Sequence, residues 1–382
     1  MLIALFLTLL TGVQDTTSIE WQPGYLDIHH IETGSGNAAF IVMPDGTTML
    51  VDAGDIGDRK IKKPSYPLTS TPPYPDDSKT AGQWIASYIR QVLPATAKPV
   101  IDYALLTHYH NDHIAALPDV GRELTIGKII DRGNSPVDRK QYQADYQHLQ
   151  TYMTAQRLTA ETLQPGSAKQ IVLLHNKEAY PACKVTGVKV NGIIWTGRGE
   201  QVKEYFNEDS ILGKKGRFEE NTLSLAIKLT YGKFDYFTGG DNTGLQGFGL
   251  PAWFDVETPM ANAVGKVEVT TLDHHGCRDA VNENFLTALQ PQNVVQQSWS
   301  SNHPGEEVLH RLIYSKANVY ATNIQEATKT TLGFWLTDNY KSTFGHVIIR
   351  VLPGGDSYYV LIAETIDGKV QIKKVFGPFQ CT

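Results

Sequence analysis

The sequence predicts an α/β fold in which loops at strand ends carry a metal site. Three segments support this prediction, because each is an apolar or β-branched run that ends in residues able to bind metal: 103–113, 234–244 and 269–279. Such runs are typical of buried strands, and function is usually carried on the loops that leave them. A single loop cannot enclose a site that holds two metal ions. We therefore expect all three segments to contribute ligands to one site.

The first segment contains the sequence THYHNDH at residues 107–113. It places four potential ligands, His108, His110, Asp112 and His113, within six positions. Side chains two apart on an extended chain share a face, so the first two histidines can hold one ion. The other two follow as the loop tightens towards a helix, and they can face a second ion. Imidazole with carboxylate suits Zn²⁺ or a neighbouring divalent transition metal. The alternative is a polar loop that is rich in histidine by chance.

The other two segments supply further ligands. In FDYFTGGDNTG an apolar strand breaks at two glycines and presents Asp241, a carboxylate that could bridge two ions. In VTTLDHHGCRD a β-branched strand ends at His274 and His275, with Gly276 as the breaker. An Asp after glycines is by itself usually a turn residue. Three strand ends with the same residue types favour a metal site over separate turns.

The pattern HxHxDH, followed by a strand ending in GGD and another ending in HHG, resembles the metallo-β-lactamase superfamily. It is most similar to the branch that resembles the hydrolase domain of the competence protein ComEC. Residues 26–55 are similar to that branch's opening: a strand, a Gly-Ser-Gly-Asn turn, a second strand, an Asp-Gly turn and a third strand ending in Asp-Ala-Gly. Residues 300–312 resemble its late His-Pro segment, and residues 319–334 resemble its closing strand and hairpin. The resemblance implies a four-layer αββα sandwich, with two mixed sheets face to face and helices outside.

The resemblance also implies how the ligands divide between two ions. His108 and His110 would hold one ion, Asp112 and His113 would hold the other, and Asp241 would bridge them. The implied cofactor is two divalent metal ions, with zinc as the first choice and manganese as the alternative.

The HHG pair supplies the remaining ligand. We assign it to His275 and give His274 the role of an outer residue or proton donor, because adjacent side chains at a strand end point in opposite directions. Many members of the superfamily place one more His on the strand before GGD. This chain has Asn221 there, as the branch often has Asn or Ser, so we expect between one and two ions per chain.

This ligand set is typical of a catalytic rather than a structural site, because it leaves an open position on each ion. Such an ion lowers the pKa of its bound water to roughly 7, and a second ion can stabilise the developing charge. The candidate catalytic residues are Asp112, His274 and His303. His303 could instead order the start of a helix before Glu306. Cys277 is expected to pack as a small buried residue.

The predicted function is metal-dependent hydrolysis of an ester. The resemblance favours a phosphodiester or phosphate ester, because the ComEC-like branch resembles nucleases and phosphorylcholine esterases of cell envelopes. One alternative is a lactonase or other carboxylic-ester hydrolase, and another is a non-catalytic protein that keeps the metal site as a scaffold. Because fold and metal site are shared by many reactions, the residues leave these alternatives open.

Composition limits the partners. The 382-residue chain has a formal net charge of −6, and its basic runs at 60–63 and 213–217 are short. Nucleic-acid binding normally leaves a basic footprint, so a processive role on DNA is disfavoured. We expect a small-molecule or envelope-derived ester as substrate. The oligomeric state stays open.

The chain is expected to form one domain over residues 16–382. We predict insertions at about 56–99 and 131–216 and a C-terminal β extension at about 336–382. The first insertion opens with a proline-rich stretch and continues with AGQWIASYIRQVL, which has helical spacing. The second contains a helix-like run and then a strand-like segment. Its aromatic residues could line a cleft or belong to the core: Tyr142, Tyr146, Tyr152 and Trp195.

The apolar run MLIALFLTLL suggests a signal peptide at residues 1–15, and hence export to the periplasm or medium. A positively charged start is missing, so the alternative is an N-terminal element that packs on the core of a cytoplasmic protein. No other segment is long enough to cross a membrane. The three cysteines, Cys183, Cys277 and Cys381, permit at most one intramolecular disulfide.

Overall fold

The protein is described by a computed structural model that covers residues 18–57, 68–94, 99–133, 140–207, 220–245 and 250–382. The predicted signal peptide and both basic runs lie outside these residues. In chain order the strands are β1 (Leu26–His30), β2 (Ala39–Val42), β3 (Thr48–Val51), β4 (Val100–Leu105), β5 (Thr125–Asp131), β6 (Ala160–Thr162), β7 (Cys183–Val190), β8 (Ile193–Trp195), β9 (Val202–Glu204), β10 (Ala226–Tyr231), β11 (Phe234–Thr238), β12 (Val269–Thr271), β13 (Asn293–Gln296), β14 (Asn318–Ala321), β15 (Tyr340–Ser342), β16 (His346–Val351), β17 (Ser357–Ile366) and β18 (Lys369–Gln380).

The helices within the described residues are α1 (Ala81–Val92), α2 (Asn111–Ile114), α3 (Leu117–Glu123), α4 (Lys140–Gln156), α5 (Glu257–Val264), α6 (Glu283–Leu289), α7 (Glu306–Ser315), α8 (Glu326–Leu332) and α9 (Phe334–Thr337). Short 3-10 turns cover Lys177–Ala179, Glu220–Leu223, Ala252–Phe254 and Asp273–Gly276. None of the helices described here has the length and apolar character that crossing a membrane requires.

The strands form two mixed sheets of nine strands each. The first has the order β18-β17-β16-β1-β2-β3-β4-β5-β6, and the second has the order β15-β14-β13-β12-β11-β10-β7-β8-β9. Each sheet is antiparallel on one side and parallel on the other, with the change at β3 in the first sheet and at β11 in the second. The parallel halves contain β4, β11 and β12, whose ends carry the predicted ligands.

Three layers of core separate the four layers of secondary structure. The first lies between the first sheet and helices α1, α3 and α4, and it includes Ile89 and Phe40. The second lies between the two sheets and includes Ile41, the next residue along β2. The third lies between the second sheet and helices α5 to α7 and includes Phe285. Neighbouring residues of a strand point to opposite faces, so β2 supplies two core layers. The predicted αββα sandwich is confirmed.

The first helix shows how local sequence sets an element. Thr80 accepts a hydrogen bond from the backbone N–H of Gln83, and the Gln83 side chain accepts one from the backbone N–H of Thr80. This reciprocal cap starts a helix whose buried face includes Ile85, Ile89 and Val92. The helix predicted for AGQWIASYIRQVL is confirmed.

The closing hairpin expected within residues 319–334 is wrong. Strand β14 is present, but α8 and then α9 follow it. Thr330 and Thr331 direct their hydroxyls to backbone carbonyls four residues earlier, at Glu326 and Ala327. These side-chain bonds fit a helix rather than a strand ladder, and Gly333 ends the helix with a φ of 51°.

The second predicted insertion and the C-terminal extension contribute strands to both sheets, whereas the described part of the first insertion contributes helix α1. Strand β7, from the second predicted insertion, pairs with β10, and β16, from the predicted C-terminal extension, pairs with β1. Tyr152 is buried in the first core layer and Tyr146 packs against it. Trp195 packs against the third layer, while the side chain of Tyr142 lies outside the described part. Cys183, Cys277 and Cys381 are free thiols.

Candidate metal centre

The three predicted strand ends meet where the two sheets face each other. Asp112, His113, Asp241 and His275 each offer a ligand atom within 4.8 Å of the others. His108, His110 and Asp241 form a second group by the same measure. All six predicted ligands therefore fall into two groups, and the groups share Asp241.

Two turns near the N-terminus position the HxHxDH loop. The backbone N–H of Asn37 donates to the carbonyl of Asp112 at 2.8 Å, and the N–H of Ala53 donates to the carbonyl of His113 at 2.7 Å. A Cβ on Gly54 would lie 1.8 Å from the Asp112 carbonyl oxygen, so only glycine fits this approach. The Asp-Ala-Gly and Gly-Ser-Gly-Asn turns noted in the sequence thus hold the ligand loop in place.

Several ligand atoms face one another without hydrogen bonds. His113 Nε2 lies 3.0 Å from Asp241 Oδ1, yet both atoms are buried and neither makes a hydrogen bond. The buried Nε2 of His108 also lacks a hydrogen-bond partner and lies 3.7 Å from Asp241 Oδ2. His275 Nε2 lies 3.5 Å from the same carboxylate oxygen, although it is also hydrogen-bonded to Asp112 Oδ2 at 3.0 Å. Buried polar atoms normally have hydrogen-bond partners. Imidazole nitrogens and carboxylate oxygens that converge without such partners fit the ligand set of a divalent metal ion.

The protonation states in the metal-free protein follow from burial and from neighbouring charges. Burial alone would raise the pKa of Asp112 and Asp241, but nearby histidines hold both below the usual value. Burial would lower the pKa of His113 and His275, but the surrounding carboxylates raise it in both cases. Protonated histidines therefore balance the carboxylates without metal, and metal binding must displace their protons.

Two ligand histidines are oriented by bonds from their other ring nitrogen. The Nδ1–H of His113 donates to Asp52 at 2.7 Å, and that carboxylate also accepts from the backbone and hydroxyl of Thr107. The Nδ1–H of His275 donates to the carbonyl of Gln297 at 3.1 Å. In both rings Nε2 is left to face the site, as in known metal centres. No role for Asp52 was predicted from the sequence, although it belongs to the recognised Asp-Ala-Gly turn.

His274 and His275 lie on the same side, contrary to our expectation. Their φ angles are 45° and 55°, in the left-handed region, so the backbone turns instead of continuing as a strand. His274 Nε2 lies 3.9 Å from Asp241 Oδ2, and its Nδ1–H donates to Asp279 at 2.7 Å. The expectation of opposite directions assumed an extended chain, and the left-handed turn removes that basis.

Asn221 lies beside His274. Its Nδ2 is 3.0 Å from His274 Nε2, and its Oδ1 is buried without a hydrogen-bond partner. The turn that carries Asn221 is anchored by the neighbouring Glu220, which accepts two bonds from the buried guanidinium of Arg132 at 2.6 and 2.8 Å. Glu220 also accepts from the backbone N–H of Tyr109, so it ties this turn to the HxHxDH loop.

His303 is buried behind a ligand. Its ring stacks on that of His275 with centroids 4.6 Å apart, and burial and the nearby His275 hold its pKa well below the usual value. The neutral His303 ring packs against the His275 ring and helps to hold it in its orientation. Cys277 is buried as expected, and it forms a further close group with His274 and Asp279. The His274–Asp279 hydrogen bond accounts for that group.

Sequence reasoning missed Trp299. Its half-buried indole donates from Nε1 to Asp112 Oδ2 at 2.9 Å. Asp279, the partner of His274, was also missed. Trp299 belongs to no motif of ligand types, and Asp279 closes the VTTLDHHGCRD segment without a predicted role. Both come close to the site through the loops that follow β12 and β13.

Comparison with known proteins supports the same family. Residues 31–153 match the sequence model of the Metallo-beta-lactamase superfamily. The matched part includes the HxHxDH loop. No curated protein matches the chain. The resemblance to a ComEC-like branch rests on the sequence motifs alone.

Several solved structures are similar at low sequence identity. A metal-dependent hydrolase from Parabacteroides distasonis, described as putative in its own name, has 14% identity and a TM-score of 0.38; the match covers 78% of this chain and 94% of that one. CmlA, a diiron β-hydroxylase from Streptomyces venezuelae, has 14% identity and a TM-score of 0.36, with 72% and 45% covered. A mutant of CmlA β-hydroxylase has 12% identity and a TM-score of 0.40, with 87% and 55% covered. The chain thus spans about half the length of the CmlA chains.

The match to the superfamily model and the two candidate ligand groups are together consistent with a metal-dependent hydrolase or a related enzyme.

Proposed function

We propose that this protein is a hydrolase that uses a metal-activated water to cleave a phosphodiester or phosphate ester. The observation that carries the proposal is the pair of ligand groups that share Asp241. Two divalent ions, zinc or alternatively manganese, would supply a water of lowered pKa and a Lewis acid for the electrophile's oxygen.

Each group of residues would supply the ligands of one ion. His108, His110 and Asp241 would hold one ion, while Asp112, His113, His275 and the shared Asp241 would hold the other. His113 and His275 are already oriented through Nδ1, which supports ligation through Nε2. Full ligand sets argue against the alternative of a non-catalytic scaffold.

His274 fits the role of proton donor to the leaving group. Burial alone would lower its pKa, but the Asp279 carboxylate raises it well above the usual value in the metal-free protein. Its side chain is 20% exposed, and its Nε2 faces the metal groups. The Asn221 amide can present either end by rotation, so it can donate to a neutral His274 or accept from a protonated one.

The charge of the site favours a substrate with one negative charge. Two divalent ions carry about +4, and the ligand carboxylates Asp112 and Asp241 return about −2. Asp52 and Asp279, which contact His113 and His274, bring the carboxylates to four, and the protonated His274 that a proton donor requires brings the sum to about +1. A phosphodiester monoanion would be attracted by this charge, whereas a dianionic monoester would meet more repulsion from the carboxylates. A neutral lactone is the alternative substrate, because it needs no net positive field.

The test combines metal analysis with a substrate screen. The purified protein is reconstituted with zinc or manganese and assayed on bis-p-nitrophenyl phosphate, p-nitrophenyl phosphorylcholine, p-nitrophenyl phosphate and simple lactones at equal metal loading. We expect both diesters to be cleaved faster than the monoester and the lactones, and Asp241→Ala to abolish activity. Lactone turnover without diester cleavage would select the carboxylic-ester alternative. Full metal occupancy without any turnover would select the scaffold.

A further inference from the structure

The loop after β13 brings an indole N–H to a ligand oxygen. Trp299 Nε1 donates to Asp112 Oδ2 at 2.9 Å and lies 3.4 Å from His275 Nε2. Asp112 Oδ2 itself lies 3.0 Å from His275 Nε2 and 3.9 Å from His113 Nε2. It is therefore the atom through which Asp112 joins its ligand group, and Trp299 contacts that same atom.

The position of Trp299 is fixed from two sides. Its ring packs edge-on against His275 and His303, with centroid distances of 5.8 and 5.2 Å. Its backbone carbonyl accepts a 2.8 Å bond from the backbone N–H of Thr71. The Thr71 hydroxyl lies 3.2 Å from the same carbonyl and 3.0 Å from the carbonyl of Gly34. The described part of the first predicted insertion thus connects Trp299 to the turn that holds the HxHxDH loop.

We propose that Trp299 is a positioning residue that sets the affinity of one of the two metal sites, the one formed by Asp112, His113, Asp241 and His275. This inference rests on the metal centre of the proposed function. The indole N–H donates a charge-assisted hydrogen bond to a carboxylate that would otherwise rotate about its χ2 angle. Holding Oδ2 beside His275 keeps the ligand geometry ready before an ion binds. The indole bond is made to Asp112, which belongs to this site and not to the group formed by His108, His110 and Asp241.

The central variant is Trp299→Phe, which keeps an aromatic ring and removes the N–H. Loss of an outer partner of a metal ligand typically lowers metal affinity about 10- to 100-fold. We expect a loss of that size for one equivalent of zinc, measured by competition with a chromophoric chelator, and no change for the other equivalent. Trp335→Phe is the matched control, because Trp335 is 46% exposed on α9 and packs against His310 away from the site.

Activity at different metal concentrations separates this role from a purely structural one. Trp299→Phe should lose activity at limiting zinc and recover it when zinc is raised about 100-fold, whereas Asp112→Ala should not recover. A second variant, Thr71→Val, keeps the indole but removes the hydroxyl beside its carbonyl. Thr71→Val should lower the affinity for the same zinc equivalent by a smaller factor. This variant tests the inference even if Trp299→Phe folds poorly.

Two results would overturn the inference. One is unchanged affinity of both equivalents in Trp299→Phe and Thr71→Val, and the other is equal weakening of both equivalents. In either case wild-type metal binding and ester cleavage would leave the proposed function standing. Absence of metal binding by the wild type would instead remove the proposed function itself.

Discussion

Replacement of His274 by alanine should affect catalysis in a way that depends on the leaving group. His274 Nδ1–H is held by Asp279 at 2.7 Å, and Nε2 faces the metal groups at 3.9 Å from Asp241 Oδ2. Proton transfer by a positioned side chain contributes about 100- to 10,000-fold to rate. We expect a loss in that range for diesters with alkyl leaving groups. Esters of p-nitrophenol should be cleaved almost as before, because p-nitrophenolate leaves without a proton.

The metal content should distinguish this role from ligation. His274 belongs to neither of the two groups that share Asp241, so His274→Ala should keep the metal content of the wild type. His275→Ala is the comparison, because it removes one ligand of a four-residue group and should lower metal content and activity together. Asp279→Asn should give a smaller version of the His274→Ala defect, since it weakens the bond that orients the ring.

The assay is steady-state kinetics over a series of diesters with leaving groups of increasing pKa, together with elemental analysis of each variant. A steeper dependence of kcat/KM on leaving-group pKa in His274→Ala is the expected outcome. If all leaving groups slowed equally with metal retained, His274 would not be the proton donor. If His274→Ala lost metal while His275→Ala kept it, the two assignments would be exchanged.

Three further predictions concern stability and metal binding. Arg132→Met should lower the free energy of unfolding in urea by about 3–5 kcal/mol, because it removes the charged partner of the buried Glu220 carboxylate; Arg90→Met, at an exposed pair with Glu123, should lower it by less than about 1 kcal/mol, and equal losses would contradict this reasoning. His113 and His275 have raised pKa values in the metal-free protein, so their stabilising effect is present below the unfolded pKa of about 6.5 and is lost as pH rises through the folded pKa. Thermal unfolding of the metal-free protein should therefore show falling stability at alkaline pH, while calorimetry in buffers of different ionisation enthalpy should show proton release on zinc binding. Asn221→His should raise metal content towards two equivalents, since it adds an imidazole beside the first group, and elemental analysis showing no increase would exclude that role for position 221.

The convergence of the six candidate ligands could be predicted because their sequence signal is local. Each lies within a few residues of an apolar strand, and the strand pattern alone places it at a sheet end. His108 and Asp241 are far apart in the sequence, yet parallel strands in facing sheets bring their ends together. Residue type, strand end and order along the chain were sufficient to collect six side chains.

The residues around the ligands could not be predicted in the same way. Asp52 bonds His113 across 61 positions, and Trp299 bonds Asp112 across 187 positions. An Asp or a Trp has no residue-type signature for such a role, because its contribution depends on side-chain direction after folding. The same limit explains the error at His274, where an extended chain was assumed and two left-handed residues turned both rings to one side.

The arrangement of the ligands has a consequence for folding. His108, His110, Asp112 and His113 follow β4 of the first sheet, whereas Asp241 and His275 follow β11 and β12 of the second. Both ligand groups include Asp241, so each group draws on both sheets. Any ion held by these residues would connect the two sheets, and its binding free energy would add to the stability of the folded chain. Metal binding would displace the protons that balance the carboxylates in the metal-free protein. Metal affinity would therefore depend on pH, and the packing of the two sheets would depend on both.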